Sequence, residues 1–153
     1  MKKLIFSFAL IFIAASLNLK AQDADKVKGY WLTDEGTSQI YIFKAKNGSY
    51  YGKIVWLDEP NEFGAPKKDK ENPDDKLKDR PLLDLLLLTS FEYDAKDEEW
   101  VEGVIYDAKS GKTYDCYMWF EDGNEKELKI KGFLMGMRFI GKETTWTRED
   151  GKR

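Results

Sequence analysis

Short runs of apolar residues, separated by turn signals, cover most of the chain from residue 29 onward. In residues 127–131, Leu128 and Ile130 alternate with three charged residues, so one face of this run is apolar and the other is charged. Other runs, such as residues 40–43, are apolar on both faces. Runs of this length and spacing predict the strands of a β-sandwich or a β-barrel. We predict eight strands, at residues 30–33, 38–45, 49–57, 85–93, 99–106, 112–121, 127–133 and 139–148.

The connections between these strands are mostly short and contain turn-forming dipeptides. These dipeptides are Asn47-Gly48, Ser110-Gly111 and Asp122-Gly123. Because short connections make consecutive strands antiparallel neighbours, the pattern predicts an up-and-down strand order.

Two residues at opposite ends of the strand pattern predict how the sheet closes. Trp31 lies in a Gly-x-Trp that begins with Gly29, and Arg148 ends the last strand. We expect the Arg148 guanidinium to stack on the Trp31 indole, a contact that electrostatics favour. Joining the first strand to the last leaves no bare sheet edge. The sequence therefore predicts an all-β, eight-stranded antiparallel up-and-down barrel, with Gly29, Trp31 and Arg148 as structural closure residues.

The connection at residues 58–84 is the exception to the short turns. It is polar and contains all four prolines of the chain. A connection of this length is often functional. Asn72 as a cap, Pro73 in the first turn and the acids that follow predict a short helix that ends near Lys78. We expect one long lid loop that carries this helix over one mouth of the barrel.

Several stretches together resemble the domain of unknown function 2147 family, a group of small exported bacterial proteins. The matching stretches are residues 29–33, 52–57, 72–74, 80–82, 106–107, 111–114 and 145–148. They occur in order and span nearly all of the chain that follows residue 28. The Gly-x-Trp on the first strand and the Arg on the last are also similar to those of the lipocalin-like (calycin) superfamily. The resemblance implies an exported, single-domain, lipocalin-like barrel, and it transfers no catalytic residues.

Residues 1–21 have the order of a secretory signal peptide. Lys2 and Lys3 precede an apolar run, and Ala21 is a small residue suited to cleavage before Gln22. The apolar run is too short for a comfortable membrane span. We expect a periplasmic or secreted protein in which residues 22–153 form a single domain.

Charge limits the partners that the exported domain can have. Without residues 1–21 the chain has 22 basic and 28 acidic residues, a net charge of −6. This is the wrong sign for a nucleic-acid partner. An outer-membrane barrel would also combine a signal peptide with alternating strands. Because the chain has only one long loop and a charged end at residues 148–153, we expect that it does not span a membrane.

The residue types give little support for catalysis or metal binding. The chain has no histidine, which removes the usual general base and the commonest metal ligand. Cys116 is the only cysteine, and on a strongly apolar strand we expect it to be an inert core residue. The acids of residues 69–75 are mixed with lysines and lack the spacing of an EF-hand. We expect no metal and no cofactor.

Four carboxylates on or beside strands leave a hydrolase as the least favoured alternative. They are Glu102, Asp107, Asp115 and Glu143. A pair of carboxylates that faced into the barrel could perform acid–base or glycosidic chemistry. Asp115 is the one of most interest, because it lies between Tyr114 and Cys116. Strand alternation makes outward-facing charge the simpler interpretation.

The function that the sequence favours is binding of a small amphipathic or apolar ligand, without catalysis. A small barrel with a lid suits this function. We expect the pocket walls to include four aromatic residues, Trp56, Tyr106, Tyr117 and Trp119, with Arg80 of the lid as an anchor for an anionic head group. One alternative is a barrel filled by its own side chains. Another is an envelope protein, a monomer or weak homodimer, that docks a partner or a second copy through outer apolar strands, residues 85–88 among them.

Overall fold

The computed structural model of the protein describes residues 23–153. The predicted signal peptide at residues 1–21 lies outside the described residues. The strands of the described chain are β1 (Gly29–Leu32), β2 (Ser38–Lys44), β3 (Tyr50–Leu57), β4 (Asn61–Glu62), β5 (Ala65–Pro66), β6 (Leu86–Asp94), β7 (Glu99–Asp107), β8 (Lys112–Trp119), β9 (Glu127–Phe133) and β10 (Gly141–Glu149). Single 3-10 turns occur at Asp25–Val27, Asp75–Leu77 and Glu121–Gly123.

Eight of these strands form a closed antiparallel barrel in the order β1-β10-β9-β8-β7-β6-β3-β2. β1 pairs with β10, with Trp31 opposite Arg148, so the first and last strands close the sheet. β4 and β5 form a separate two-stranded hairpin. The predicted all-β, eight-stranded up-and-down barrel is confirmed, and each predicted strand boundary lies within two residues of the observed one.

The interior of the barrel is tightly packed with large side chains near the end where β1 begins. The largest of them, all less than 2% exposed, are Trp31, Tyr50, Phe91, Trp100, Met118 and Leu128. Burial of each such side chain contributes roughly 1.5–3 kcal/mol. Glycine makes room for them in two places: a Cβ on Gly52 would lie 2.8 Å from Leu88 Cδ1, and one on Gly103 would lie 2.4 Å from the Phe91 ring.

The lid segment, residues 58–85, joins β3 to β6 and crosses the opposite end of the barrel. It contains the β4-β5 hairpin and the 3-10 turn at Asp75–Leu77. This turn is shorter than the helix that we predicted and begins later. Asp74 is its cap and accepts a hydrogen bond from the Lys76 amide at 3.0 Å, while Asn72 accepts one from the Asp74 amide at 2.9 Å.

The run of leucines at 85–88, which one alternative interpretation made part of a docking surface, exposes little apolar area. Leu85, Leu87 and Leu88 are buried, and only Leu86 is exposed. The pairing of β6 with β3 shifts register between Tyr50 and Lys53, so simple alternation fails here. A β-bulge changes which face successive side chains occupy, and adjacent leucines can then both face inward.

None of the helical turns within residues 23–153 has the length and apolar character needed to cross a membrane.

Candidate functional site

The end of the barrel where β1 begins, which we call the closed end, is sealed by the chain that precedes β1. The Trp31 and Trp100 indoles donate hydrogen bonds to the carbonyls of Val27 and Ala24, at 2.9 and 3.0 Å. The Tyr50 hydroxyl donates one to the Asp25 carboxylate at 2.7 Å. Each of these three rings therefore has a partner for its polar atom, as burial in an apolar core requires.

Arg148 joins three segments at the closed end. Its guanidinium lies 4.2 Å from the Trp31 ring centroid. It donates hydrogen bonds to the carbonyls of Lys26, Lys28 and Glu125, at 2.6, 3.0 and 2.7 Å. Burial lowers its pKa below the ordinary value of arginine.

Gly29 leaves the space that this arrangement needs. Its φ of +129° belongs to a region that favours glycine, and a Cβ would lie 3.2 Å from Arg148 Nη1. This is the geometry that our closure hypothesis for Gly29, Trp31 and Arg148 requires. Its contribution to stability stays a prediction.

The other end of the barrel, the open end, holds a cavity of about 1000 Å³. Its walls come from alternate residues on the inner faces of the barrel strands. The apolar lining includes Ile40, Ile54, Leu87, Ile105, Ile130 and Trp146. On β10, Lys142, Thr144 and Trp146 line the cavity, which shows the two-residue period of a strand. A volume of this size is at the upper end of the range for pockets that hold drug-sized molecules.

The rim of the cavity is charged. Five carboxylates and three lysines lie among the lining residues, so the rim carries a net charge of −2. The carboxylates are Asp34, Glu35, Asp58, Glu59 and Asp107, and the lysines are Lys67, Lys109 and Lys142. Lys67 Nζ lies 3.1 Å from Glu59 Oε2, and Lys109 forms an ion pair with Glu35.

One side of the mouth is apolar instead of charged. The loop between β9 and β10, residues 134–140, carries five exposed large apolar side chains: Leu134, Met135, Met137, Phe139 and Ile140. Three of them, Leu134, Met137 and Ile140, also line the cavity. The loop therefore continues the apolar wall of the cavity out to the surface.

The lid segment is held to the barrel by a buried hydrogen-bond network, which we call the lid lock. Its centre is Asp69, which has no solvent-exposed surface. The Asp69 carboxylate accepts hydrogen bonds from Arg80 Nε and Nη2 at 2.9 and 2.7 Å, from Asn72 Nδ2 at 2.7 Å and from the Tyr106 hydroxyl at 2.6 Å. Two backbone hydrogen bonds join the first part of the segment to the last. The Asp69 amide donates to the Arg80 carbonyl, and the Leu82 amide donates to the Lys67 carbonyl.

The lid lock governs the ionisation of its members. Burial opposes the charge on Asp69, but the hydrogen bonds from Tyr106, Asn72 and Arg80 outweigh it and hold the pKa of Asp69 below its ordinary value. The pKa of Tyr106 is raised, first by burial and then by its bond to the Asp69 carboxylate. The lock is therefore built around an ionised Asp69.

Gly111, in the turn between β7 and β8, lets the lid segment pack closely on the barrel. A Cβ on Gly111 would lie 1.8 Å from the Glu71 carbonyl oxygen, and its φ of +69° is in the left-handed region. Only glycine fits both conditions without strain. Together with Tyr106, Gly111 fixes the lid segment to the β7-β8 side of the mouth.

Of the five residues that we predicted to bind ligand, Tyr106 lies among the residues that line the cavity. Its hydroxyl is already bonded to the lid lock. Arg80 is not a lining residue; its guanidinium neutralises Asp69 and lies 5.7 Å from the Tyr106 ring centroid. Arg80 therefore acts within the lid segment in this structure.

The other three residues do not line the cavity either. Tyr117 and Trp119 stack on each other at 5.1 Å on the outer face of β8, because the alternate residues Cys116 and Met118 face the interior. Trp56 lies beneath Arg153, whose guanidinium is 5.0 Å from its ring centroid. The β2-β3 pairing shifts register between Gln39 and Ile40, and this bulge puts Leu57 in place of Trp56 in the wall.

The four carboxylates and the cysteine that the sequence offered as candidates lie outside the cavity interior, on outer strand faces, in a turn or in the core. Asp115, Glu102 and Glu143 are exposed on outer strand faces, and Asp107 accepts hydrogen bonds from the Lys109 amide and the Ser110 hydroxyl in the β7-β8 turn. Cys116 is buried, which raises the pKa of its thiol. Within residues 23–153 no group of three or more His, Cys, Asp or Glu side chains is arranged to hold a metal ion.

Sequence reasoning missed most of the lining residues. They are aliphatic, and an aliphatic residue on a strand gives the same signal whether it packs against a neighbour or faces an empty space. The loop at residues 134–140 did carry a signal, because five of its seven residues are large and apolar although the loop connects two strands.

Comparisons with known proteins bear on the family and the fold of the chain. The model of the family described as "Uncharacterized protein conserved in bacteria (DUF2147)" matches residues 29–148. The chain belongs to this family. The resemblance that we predicted from the sequence is therefore confirmed. No curated protein matches the chain significantly.

A solved structure supports the assignment of the fold of this DUF2147 protein. Protein HP1028 from Helicobacter pylori, described as belonging to the lipocalin family, is similar with a TM-score of 0.68 and 23% sequence identity. The match covers 81% of this chain and 83% of that one. At this level of identity the likeness shows the fold alone.

Proposed function

We propose that this protein binds a small apolar or amphipathic ligand in the barrel cavity, under the lid segment. The observation that carries the proposal is the cavity of about 1000 Å³ at the open end. The closed end of the same barrel is filled by its own aromatic side chains. A barrel of eight strands therefore does not by itself create a cavity. Apolar walls with a few polar groups at the rim are typical of small-molecule sites.

Displacement of a neutral fluorescent probe, N-phenyl-1-naphthylamine, tests the proposal. Thr144 lines the cavity, and its hydroxyl is buried without a hydrogen-bond partner among the described residues. A Thr144→Phe variant therefore fills the cavity without breaking a hydrogen bond. We expect it to weaken probe binding about tenfold, the equivalent of about 1.4 kcal/mol.

The matched control is Thr147→Phe, on the same strand but exposed on the outer face. This variant should bind the probe as the unmodified protein does. Equal probe affinity for both variants would contradict the proposal. Native mass spectrometry of protein purified without detergent then identifies any ligand that is retained, as an extra mass that is lost on denaturation.

We further propose that the protein is exported and acts in the periplasm or outside the cell. The support is the order of residues 1–21, with Lys2 and Lys3 before the apolar run and Ala21 at its end. The intact mass of the protein from the exported fraction should correspond to a chain that starts at Gln22. Recovery of the full-length chain from the cytoplasm alone would contradict export.

A second candidate function is weak self-association through the loop at residues 134–140. The observation that favours it is the exposure of Met135 and Phe139, at 87% and 80%. Exposed apolar clusters of this kind mark contact surfaces. Light scattering of the unmodified protein and of a Met135→Ser/Phe139→Ser variant tests it: a dimer that the variant loses supports the second candidate, and a monomer in both cases rejects it.

A further inference from the structure

We propose that the cavity takes an amphiphile whose polar end is cationic, as in an alkyl amine, and disfavours anionic amphiphiles such as fatty acids. This inference rests on the proposed ligand-binding function and adds the chemical class of the head group. It differs from our sequence-based expectation, in which Arg80 anchored an anionic head.

The first observation is the position of the carboxylates at the mouth. Asp34 and Glu35 lie between β1 and β2, and Asp58 and Glu59 follow β3. The Asp58 amide donates a hydrogen bond to the Thr37 carbonyl at 2.9 Å, which holds these two connections side by side. Four carboxylates therefore share one side of the cavity rim.

The second observation is that two of these carboxylates have no partner. Glu35 and Glu59 form ion pairs with Lys109 and Lys67. Asp34 and Asp58 form no ion pair and no side-chain hydrogen bond with any residue between 23 and 153. A cationic head group at the mouth would form the direct ion pair that neither of these two carboxylates makes within the described chain.

The third observation is that the arginines near the mouth already form ion pairs with carboxylates of the protein. Arg80 is bonded to Asp69 in the lid lock. Arg138 forms an ion pair with Glu99 and lies 3.9 Å from the Tyr117 ring centroid. Arg153 lies near enough to Asp58 for attraction between them, but its guanidinium is bonded to Glu149. Lys142 is the remaining lining cation outside an ion pair in the described chain.

The mouth is therefore amphipathic across its width. Leu134, Met137 and Ile140 supply an apolar side, and the Asp34–Asp58 side is acidic. An alkyl chain that enters along the apolar side has its head group at the rim. A carboxylate there would lose water and face net negative charge, whereas an ammonium would gain attraction.

Competition against N-phenyl-1-naphthylamine with decylamine, decanol and decanoate tests the inference, because the three compounds share one chain length. At low ionic strength and near neutral pH, decylamine should bind about fivefold more tightly than decanol, the size expected of a partly exposed ion pair. Decanoate should bind most weakly. Added salt should reduce these differences.

An Asp34→Asn/Asp58→Asn variant should lose most of the preference for decylamine and keep the affinity for decanol. The control is Asp97→Asn/Glu98→Gln, which removes two exposed carboxylates from the β6-β7 turn at the closed end. Its net charge is the same as that of the Asp34→Asn/Asp58→Asn variant. This control should keep the preference. Equal preference in both variants would overturn the inference.

The outcomes separate the inference from the function on which it rests. If the probe and decanol bind but decanoate competes as well as decylamine, the inference is wrong and the proposed function stands. If neither the probe nor decanol binds, the proposed function fails and the inference fails with it.

Discussion

The two ends of this barrel are covered in opposite ways. At the closed end, Trp31 and Trp100 fill the interior, and their polar atoms bond to the chain that precedes β1. At the open end, the interior widens into a cavity, and a separate segment is locked across the rim through Asp69. The difference teaches that the packed core and the proposed binding cavity lie at different ends, so a variant at the closed end should lower stability and spare probe binding.

The largest effect on this comparison should come from Arg148→Ala. The change leaves three backbone carbonyls, of Lys26, Lys28 and Glu125, without their donor and uncovers the Trp31 ring. We expect the free energy of unfolding to fall by about 3 kcal/mol, measured by urea denaturation. Probe affinity should stay the same, because Arg148 is absent from the cavity lining. Unchanged stability would contradict the closure hypothesis for this residue.

A smaller loss should follow from Asp69→Asn, which removes the charge at the centre of the lid lock. Arg80 and Tyr106 then lose their ionised acceptor, at a cost of about 2 kcal/mol. Limited proteolysis should cut within residues 67–82 first and faster than in the unmodified protein. The control is Asp79→Asn in the same segment, whose ion pair with Lys68 is exposed and should add little to stability. Equal cleavage of the two variants would argue against the lock.

Acid should open the lid segment by protonating Asp69. The pKa of Asp69 is lower in the folded protein than the ordinary value of 3.8. Its ionised form therefore stabilises the fold above about pH 4, and this contribution is lost as the pH falls through the lowered pKa. Pepsin, which is active in acid, should cleave the lid segment increasingly as the pH decreases below about 4. The Asp69→Asn variant should show a flatter dependence on pH.

The smallest effect on stability should come from Met135→Ser/Phe139→Ser at the open end. Both side chains are mostly exposed, so their loss should change the free energy of unfolding by about 0.5 kcal/mol or less. Thermal unfolding checks this expectation. A large loss of stability would show that the loop at residues 134–140 packs onto the barrel. The open end would then contribute to stability as the closed end does.

The closed end was largely predictable from the sequence, and the open end was not. Trp31 and Arg148 are distinctive residues at the two ends of the strand pattern, and the requirement that a sheet have no bare edge brings them together. Tyr117 and Trp119 could have been placed correctly as well. If Cys116 is a core residue, the period of two along a strand puts both aromatic rings outside.

Trp56 and the lid lock were beyond the reach of pattern reasoning. Alternation from Ile54 puts Trp56 inside the barrel, and only the bulge opposite Gln39 moves it outside. Asp69 lies among lysines and acids in a polar loop, so composition suggested a solvated charge. Its burial depends on Tyr106, which is 37 residues away in the sequence, and on the backbone approach that Gly111 permits.

The distribution of tryptophans gives the protein a built-in optical reporter. Trp146 lines the cavity, whereas the indoles of Trp31, Trp56, Trp100 and Trp119 do not. A molecule that enters the cavity therefore contacts a single tryptophan, and emission from the other four supplies a reference. In a Trp146→Phe variant the ligand-dependent part of the emission should vanish while the emission that reports folding remains. Occupancy and unfolding can thus be followed separately in one unlabelled sample.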